Sequence, residues 1–337
     1  MRLKQLLLGT GKKETNRHRS KNAPLLKAKK KSRRRSSQAR PKAFTRSASS
    51  PKKHQTTLVN NRKKQSSLLR KNRQRLSVII SASNEQKTIG PLIDVIAKLK
   101  PKEMIVVDNG STAKTLDICL KKSATCYSYP YRFGHDIGRA IGAREATGDV
   151  LLFLDADIPF TFAQLIPFVI ACYEGVDIAL NNVNPLYKKR SMLDSVSLAK
   201  RFLNHILEKD ELGHASLTAV PHAMTRKALE TIGAEHLAIP PKAQVIAAFA
   251  GLNIKAVHPV DVFAMNKVRE RNSNNSNLVE EMIIGDHVEA VQWVQAASGE
   301  RGIYHDNIRQ RHLIAEVLAS IGKSQDDDNQ TTTHHPS

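Results

Sequence analysis

The sequence predicts an α/β fold, a three-layer sandwich built on a mostly parallel central sheet. Two observations predict it. Short runs of β-branched and other apolar residues alternate over 76–182 with segments of helical periodicity, and this alternation is typical of right-handed βαβ units. Beyond residue 183 the pattern becomes largely helical, so we expect helical additions in the C-terminal part of the chain.

The predicted strands are short, apolar and bounded by turn residues, as expected for strands that are buried on both faces. They cover residues 76–82, 104–108, 150–155, 177–182 and 253–258. The predicted helices have apolar residues at spacings of three and four. They cover residues 88–99, 112–122, 136–147, 161–173, 193–208, 224–232, 242–251, 277–297 and 307–321.

Charge separates the first 75 residues from the rest of the chain. Residues 1–75 hold 26 of the 53 Lys and Arg and a single acid, Glu14, which gives this segment a charge of +25 (26 − 1). The remaining residues carry −3 (27 − 30). Low-complexity basic sequence cannot bury enough apolar surface to offset its ordering entropy. We therefore predict a disordered basic tail over 1–75, a folded domain over 76–325, and a disordered polar end over 326–337.

The basic tail is expected to bind an anionic polymer or an anionic membrane surface. Phe44 is its only aromatic residue, so base stacking is a poor explanation of its composition and no sequence-specific nucleic-acid binding is predicted. No run of apolar residues is long enough to predict a transmembrane helix, and the three cysteines form no CxxC pair. We expect a cytoplasmic protein, free or peripheral at an anionic surface. The sequence predicts no oligomeric state.

Polar residues follow three predicted strands at the edge where a doubly wound sheet binds its ligands. The segments are 83–85 (SNE), 108–111 (DNGS) and 155–157 (DAD). We expect their carboxylates to converge on one crevice. Asp155 and Asp157 are two carboxylates at a strand exit, and Mg²⁺ or Mn²⁺ commonly uses one or two carboxylates together with phosphate oxygens and water. The DxD pattern alone is weak, and its weight comes from the apolar run that precedes it.

Three segments together resemble the successive signatures of the family 2 glycosyltransferases. They are 76–85 (LSVIISASNE), 105–112 (IVVDNGST) and 148–157 (GDVLLFLDAD), in the family's order and spacing. The resemblance implies a GT-A type fold, with a nucleotide-binding half over 76–182 and an acceptor half over 183–325. It also implies a metal-dependent glycosyltransferase that moves a sugar from a UDP- or GDP-linked donor to a hydroxyl acceptor.

The resemblance carries site roles onto individual residues. Asp155 and Asp157 would bind Mn²⁺ or Mg²⁺. His258 could be a third metal ligand, but the favoured alternative is a structural histidine. Arg139 or Arg144 could reach a phosphate or a sugar hydroxyl, the alternative being a solvated helix face. The implied nucleotide-sugar site consists of Ser81, Ser83, Glu85, Asp108, Asn109, Gly134, Arg139, Asp155 and Ala156.

The chain departs from the family's pattern at the catalytic base. Inverting members have an acidic pair about ten residues before an Ala-Gly turn, but here the turn at 250–251 is preceded by 239–242 (IPPK) with no acid. Three explanations stay open: a carboxylate from elsewhere, a retaining reaction, or a chain that no longer catalyses. The candidate catalytic carboxylates are Asp157, Asp261 and Asp286, with Glu280 and Glu281 as further candidates for the base.

The alternative function is that of a degenerate sugar-nucleotide-binding or structural protein whose basic tail binds anionic polymers. The missing acidic pair favours it, and the retained acids of the three signatures favour an enzyme. A mobile basic loop around 267–271 (KVRER) could close over a diphosphate, or could be an exposed charged loop.

Overall fold

The computed structural model of the chain describes residues 67, 75–111, 113–187, 194–265 and 278–321. The chain divides into two units, Met1–Pro51 and Lys52–Ser337, and every described element belongs to the second. The predicted basic tail, apart from residues 67 and 75, lies outside the described residues. So do the loop around 267–271 and the polar C-terminal end.

Seven strands form one sheet. They are β1 Leu76–Ala82, β2 Glu103–Asn109, β3 Thr125–Tyr129, β4 Val150–Asp155, β5 Ile178–Asn181, β6 His222–Thr225 and β7 Ile254–His258. Their order across the sheet is β3-β2-β1-β4-β6-β5-β7. All pairings are parallel except those of β6, which runs antiparallel to β4 and β5.

The α-helices are α1 Ile89–Ala97, α2 Ala113–Lys121, α3 Ile137–Glu145, α4 Phe162–Tyr173, α5 Asn184–Tyr187, α6 Ser195–Ile206, α7 Arg226–Ile232, α8 Pro240–Phe249, α9 Val262–Met265 and α10 Leu278–Ser298. Short 3₁₀ helices occur at Asp210–Leu212, Ala234–Ala238 and Arg311–Leu313, the last continuing as a helix over 314–321. No helix in the described part of the chain is long and apolar enough to cross a membrane.

The sheet separates two apolar cores, as alternating side chains of a strand require. On one face Ile80 and Leu152 pack with α1, α2 and α4, and on the other Ile79 and Phe153 pack with α3, α7 and α8. A smaller cluster joins α6, α8 and α10, with Leu203, Val245 and Val294 buried in it. The predicted fold class, a three-layer α/β sandwich with a mostly parallel sheet and helical C-terminal additions, is confirmed.

Two strands of the structure are not predicted by the sequence analysis. The strand β3 (TCYSY) is an edge strand whose residues are at most half-buried, so it lacks the continuous apolar run by which the other strands were found. The last two residues of β6 overlap the start of the helix predicted over 224–232. The structure ends that strand at Thr225, whose hydroxyl caps α7 through the Ala228 amide at 3.2 Å.

A buried asparagine at the end of β5 joins two loops by hydrogen bonds. Asn181, at the end of β5, is fully buried. Its Nδ2 donates to the carbonyl oxygens of Val220 and Val260, both at 3.0 Å, and its Oδ1 accepts from the Val260 amide at 2.9 Å. The side chain therefore joins the loops before β6 and after β7 where strand pairing cannot.

The Asn181→Ala variant is expected to lose about 3 kcal/mol of unfolding free energy, because it removes three hydrogen bonds of about 1 kcal/mol each and leaves backbone groups unsatisfied. Urea denaturation measures the loss. The control is Gln292→Ala at an exposed position of α10, which should stay within about 0.5 kcal/mol of the parent chain. Equal stability of the two variants would show that Asn181 does not join these loops.

Candidate active site

The carboxyl ends of β2, β1 and β4 lie side by side at one edge of the sheet. The strand register pairs Ser81 with Asp155 and Ala82 with Asp108. The amide of Ala156 donates to the Ser81 carbonyl at 2.9 Å, which extends the β1–β4 ladder past Asp155. The three segments singled out in the sequence therefore meet at one edge.

Asp108 and Asp155 nevertheless point to opposite faces of the sheet. Asp155 shares the face of Ser81 and α3, whereas Asp108 shares the face of Ala82 and α2 because side chains alternate along a strand. Asp108 is buried and accepts from Ser128 Oγ at 2.9 Å. This corrects the expectation that all the strand-end carboxylates converge on one crevice.

Asp155 is held by a buried arginine. The guanidinium of Arg139 donates from one terminal nitrogen to Asp155 Oδ2 at 3.3 Å, and its other terminal nitrogen lies 2.7 Å from Asp136 Oδ1 and 3.2 Å from the Leu217 carbonyl oxygen. The Arg139 side chain is 7% exposed and that of Asp155 is 32% exposed. The arginine is therefore a buried positioning group, and the carboxylate it holds remains open to a ligand.

The charges of this cluster shift one another's ionisation. Burial alone would lower the pKa of Arg139, but the negative charges of Asp136 and Asp155 outweigh it and raise the pKa. Burial raises the pKa of Asp136, against the lowering effect of Arg139. Arg144 is exposed, so of the two candidate arginines the structure brings Arg139 to the site, with its donors already engaged by protein groups.

Asp157 lies in the turn after β4, with Ala156 buried before it and its own side chain half-buried. Within the described ranges, no three His, Cys, Asp or Glu residues lie close enough to hold a metal ion together. A divalent ion at this edge would therefore be held by Asp155 and Asp157 with ligand oxygens and water, a donor set that Mg²⁺ and Mn²⁺ use with phosphates.

His258 is not brought to this pair. It ends β7, which is separated from β4 by β6 and β5, and three inter-strand spacings amount to about 14 Å. Its ring packs edge-on against Phe168 at 6.3 Å between centroids, and burial lowers its pKa. The structure thus places His258 in a packing role, away from the predicted metal ligands.

Of the candidate catalytic carboxylates beyond Asp157, only Asp286 approaches the site. Burial raises the pKa of Asp286 to about 6, and the negative charge of Asp136, the partner of Arg139, adds to the shift, so the two carboxylates lie within electrostatic range of each other. Asp261 is exposed and caps α9 through the Ala264 amide at 3.1 Å. Glu280 accepts from Ser195 at the start of α6, and Glu281 is exposed.

The remaining predicted residues surround the edge. Ser81 Oγ is buried without a hydrogen-bond partner among the described residues, and Ser83 is half-buried. Glu85 lies in the turn before α1, where its carboxylate accepts from Thr88 Oγ1 at 3.1 Å. Ser81 is near the end of β1, and Ser83 and Glu85 follow on the turn from β1 into α1.

Asn109, at the end of β2, organises the loop before α3. Its Nδ2 donates to the Gly134 carbonyl at 2.7 Å and its Oδ1 accepts from the Phe133 amide at 2.6 Å. An aspartate could not make the first of these bonds. Gly134 is exposed with φ of +100°, a conformation that suits glycine.

Sequence reasoning missed a polar network that connects Arg139 to α6. The Leu217 amide, whose carbonyl accepts from Arg139, donates to Gln244 Oε1 at 2.9 Å, and Gln244 Nε2 donates to Asn204 Oδ1 at 2.6 Å. Lys200 lies one turn before Asn204 on the same buried face of α6. The spacing Ser197, Lys200, Asn204 is a helical polar stripe, the one signal in the sequence that marks this face.

His222 is a second missed residue. It is buried, stacks on Phe153 at 4.9 Å between ring centroids, and its Nδ1 lies 3.0 Å from the Ala219 carbonyl oxygen. Burial lowers its pKa to about 3, with the charge of Arg139 in the same direction. A neutral ring there lets the arginine approach without a second positive charge beside it.

Comparison with known proteins places the same region in a family. Residues 77–229 match the family Glycosyl transferase family 2. A curated relative, 4,4'-diaponeurosporenoate glycosyltransferase of Staphylococcus haemolyticus (strain JCSC1435), is 29% identical over 105 residues, which are 29% of this chain and 28% of the relative. The match thus spans little more than a quarter of that relative's length.

Among solved structures, glucosyl-3-phosphoglycerate synthase from Mycobacterium tuberculosis in complex with UDP is similar with a TM-score of 0.49 and 22% identity, over 65% of this chain and 80% of that one. Its complex with Mn²⁺, UDP and glucosyl-3-phosphoglycerate gives a TM-score of 0.46 and 20% identity, over 69% and 82%. Residues 77–229, which contain the three strand-end signatures, are thus similar to glycosyl transferase family 2.

Proposed function

We propose that this chain transfers a glycosyl group from a nucleotide-diphosphate sugar to a hydroxyl acceptor, with Mn²⁺ or Mg²⁺ at Asp155 and Asp157. The observation that carries the proposal is the position of Asp155. It ends a buried strand next to β1, keeps part of its carboxylate exposed, and is fixed by a buried arginine. The match of residues 77–229 to glycosyl transferase family 2 supports the reaction type.

The residues fit a divalent cation with a diphosphate. Two carboxylates separated by one residue offer hard oxygen ligands, and fewer than three protein ligands leave positions for phosphate oxygens and water. When bound, the cation neutralises charge on the departing diphosphate. Arg139 restrains one oxygen of Asp155 and so orients the other.

The nucleoside is assigned to the edge formed by β1 and β2. Asp108 Oδ1 is buried without a partner among the described residues, whereas its Oδ2 accepts from Ser128. An unused carboxylate oxygen suits an N–H of a nucleobase such as uracil or guanine. Ser81, Ser83, Glu85, Asn109, Gly134 and Ala156 complete the proposed donor site, Asn109 by shaping the loop at Gly134.

Asp286 is the proposed general base. It would take the proton of the acceptor hydroxyl as the oxygen bonds to the sugar carbon and the bond from that carbon to the diphosphate breaks. A pKa of about 6, raised by burial, leaves it ionised at neutral pH and still basic. One direct displacement of this kind inverts the configuration of the sugar carbon. The base thus comes from α10 and not from the segment before Ala250, where α8 carries Lys242 paired with Glu289 at 2.8 Å.

The tail is proposed to hold the enzyme at a polyanion. Its charge of +25 comes from 26 basic residues and one acid within 75 residues, and such a segment attracts anionic polymers or lipid headgroups without reading sequence. Location in the cytoplasm or at such a surface belongs to the same proposal.

Replacing Asp157 by Asn should abolish Mn²⁺-dependent binding of nucleotide and lower the rate of donor turnover by more than about 10³-fold, because charge stabilisation worth several kcal/mol is lost. Thermal-shift measurements with UDP and GDP, with and without Mn²⁺, followed by hydrolysis of the matching sugar donors, test it. Asp117→Asn, at an exposed position of α2, is the matched control. An Asp157→Asn chain with unchanged turnover would refute the metal assignment.

Replacing Asp286 by Asn should lower the turnover number by about 10² to 10⁴-fold. In the parent chain, turnover should fall below pH about 6, where Asp286 takes up a proton and ceases to act as a base; the variant should lack this acidic limb. Glu281→Gln on the same helix and Asp261→Asn are the controls. If either control loses the limb while Asp286→Asn keeps it, the base is assigned to the wrong residue.

Retention of the full chain on heparin or anionic vesicles should fall steeply with salt, since the screening length shrinks from about 10 Å at 0.1 M to about 3 Å at 1 M. A chain starting at residue 75 should not be retained but should keep its donor turnover. Salt-independent retention, or retention of the shortened chain, would contradict the proposed tether.

A further inference from the structure

Lys200 is a buried cation that nothing in the described part of the chain neutralises by contact. It is 8% exposed. Hydrogen bonds and ion pairs within 4.0 Å are recorded for its neighbours Asn204 and Arg139, and none for the Lys200 ammonium among the described residues. Lys200 keeps a little accessible surface, and its Nζ is not one of the fully buried polar atoms that lack a partner. Removing most of the water from an ammonium group without supplying a partner is costly, so such a group points to a ligand.

Its surroundings are rich in positive charge and unused nitrogens. Arg139 lies within electrostatic range of Lys200. So do His214 and His287, whose pKa values are lowered by burial and further by Lys200, that of His287 to about 4. Both rings leave Nε2 buried without a partner among the described residues. Carboxylates of Asp194 and Asp136 are also within range, but neither makes a recorded ion pair with Lys200.

The ionisation of Lys200 matches this picture. Burial lowers its pKa to about 8, Arg139 adds to the lowering, and the acids Asp194 and Asp136 act in the opposite direction without restoring the usual value. A lysine with a dedicated carboxylate partner would be shifted upwards.

The site lies beside the proposed metal motif. Lys200 projects from the buried face of α6 that reaches Arg139 through Asn204, Gln244 and the Leu217 backbone, and Arg139 holds Asp155. It therefore belongs to the acceptor half of the domain, on the α3 side of the sheet, whereas Asp108 points to the other face.

We propose that Lys200 is the cation of an anion-binding subsite that holds a phosphate or carboxylate group of the acceptor. The assignment of this anion to the acceptor rests on the proposed function, whereas the binding of an anion at Lys200 does not. His214 and His287 each present an Nε2 lone pair while their Nδ1 atoms lie 3.2 Å from Asn184 Oδ1 and 2.7 Å from the Ile283 carbonyl oxygen. These lone pairs suit hydroxyl groups next to the anion, so the ligand class is a small hydroxylated phosphate or carboxylate.

The test titrates the full chain with inorganic phosphate and follows binding calorimetrically and by melting temperature. Lys200→Met should weaken the binding of phosphate at least about tenfold, which is the effect of losing one charge-assisted hydrogen bond. Lys200→Arg should retain most of the binding. Lys227→Met, an exposed lysine paired with Asp177 at 3.3 Å, is the control and should bind as the parent chain does. Unchanged phosphate binding in Lys200→Met, or none in the parent chain, would overturn the subsite.

A second measurement separates a ligand site from a structural role. Without ligand, Lys200→Met should melt at the same temperature as the parent chain or higher, because it removes an uncompensated buried charge. A lower melting temperature would show that Lys200 stabilises the fold through its neighbouring acids, and would overturn the proposal.

The source of the anion is resolved by repeating the titration with UDP or GDP and Mn²⁺ at saturation. Phosphate binding that persists supports an acceptor group, and phosphate binding that is lost assigns Lys200 to the donor's diphosphate and overturns the acceptor assignment. If neither nucleotide binds, the proposed function fails while the titration with phosphate alone still tests the subsite.

Discussion

The arrangement of the site depends on one buried guanidinium. Arg139 lies between the carboxylates of Asp136 and Asp155 and also donates to the Leu217 carbonyl. Removing an arginine from water is costly unless its donors are satisfied, and two acids with a carbonyl satisfy most of them. The same contacts fix the end of β4, the start of α3 and the segment after α6 relative to one another.

This constraint explains why the proposed donor and acceptor sides of the domain would meet at Asp155. On one side, β1 presents Ser81 next to it, while Asp108 of β2 points to the opposite face of the sheet. On the other, the hydrogen bonds from Leu217 through Gln244 to Asn204 bring the buried face of α6 to the arginine. Asp286 of α10 lies within electrostatic range of Asp136. The proposed base, the proposed cation-binding pair and the proposed anion subsite would thus all adjoin Arg139 or its partners.

The strands that position the site were predictable because β1, β2 and β4 are continuous apolar runs. The polar residues at their ends were predictable for the same reason, since parallel strands end at one edge. The alternation of side chains, which sends Asp108 and Asp155 to opposite faces, depends on the pairing register. That register could not be read from the separate runs.

Other features depend on contacts between residues far apart in the chain. The isolation of His258 follows from the strand order, which puts two strands between β7 and β4. The pairing of Arg139 with Asp155 and the burial of Lys200 arise only when helices pack on the sheet. The helical spacing of Ser197, Lys200 and Asn204 was visible, but a polar stripe predicts an exposed face until tertiary packing shows otherwise.

A divalent cation and a diphosphate are proposed to meet at the end of β4. A crystal structure of the chain with Mn²⁺ and the nucleoside diphosphate that binds it, using the anomalous signal of manganese, tests this directly. We expect a manganese peak about 2.1 Å from a carboxylate oxygen of Asp157, with the diphosphate on its open side and Arg139 still on Asp155. Manganese and nucleotide bound together elsewhere on the molecule would contradict it.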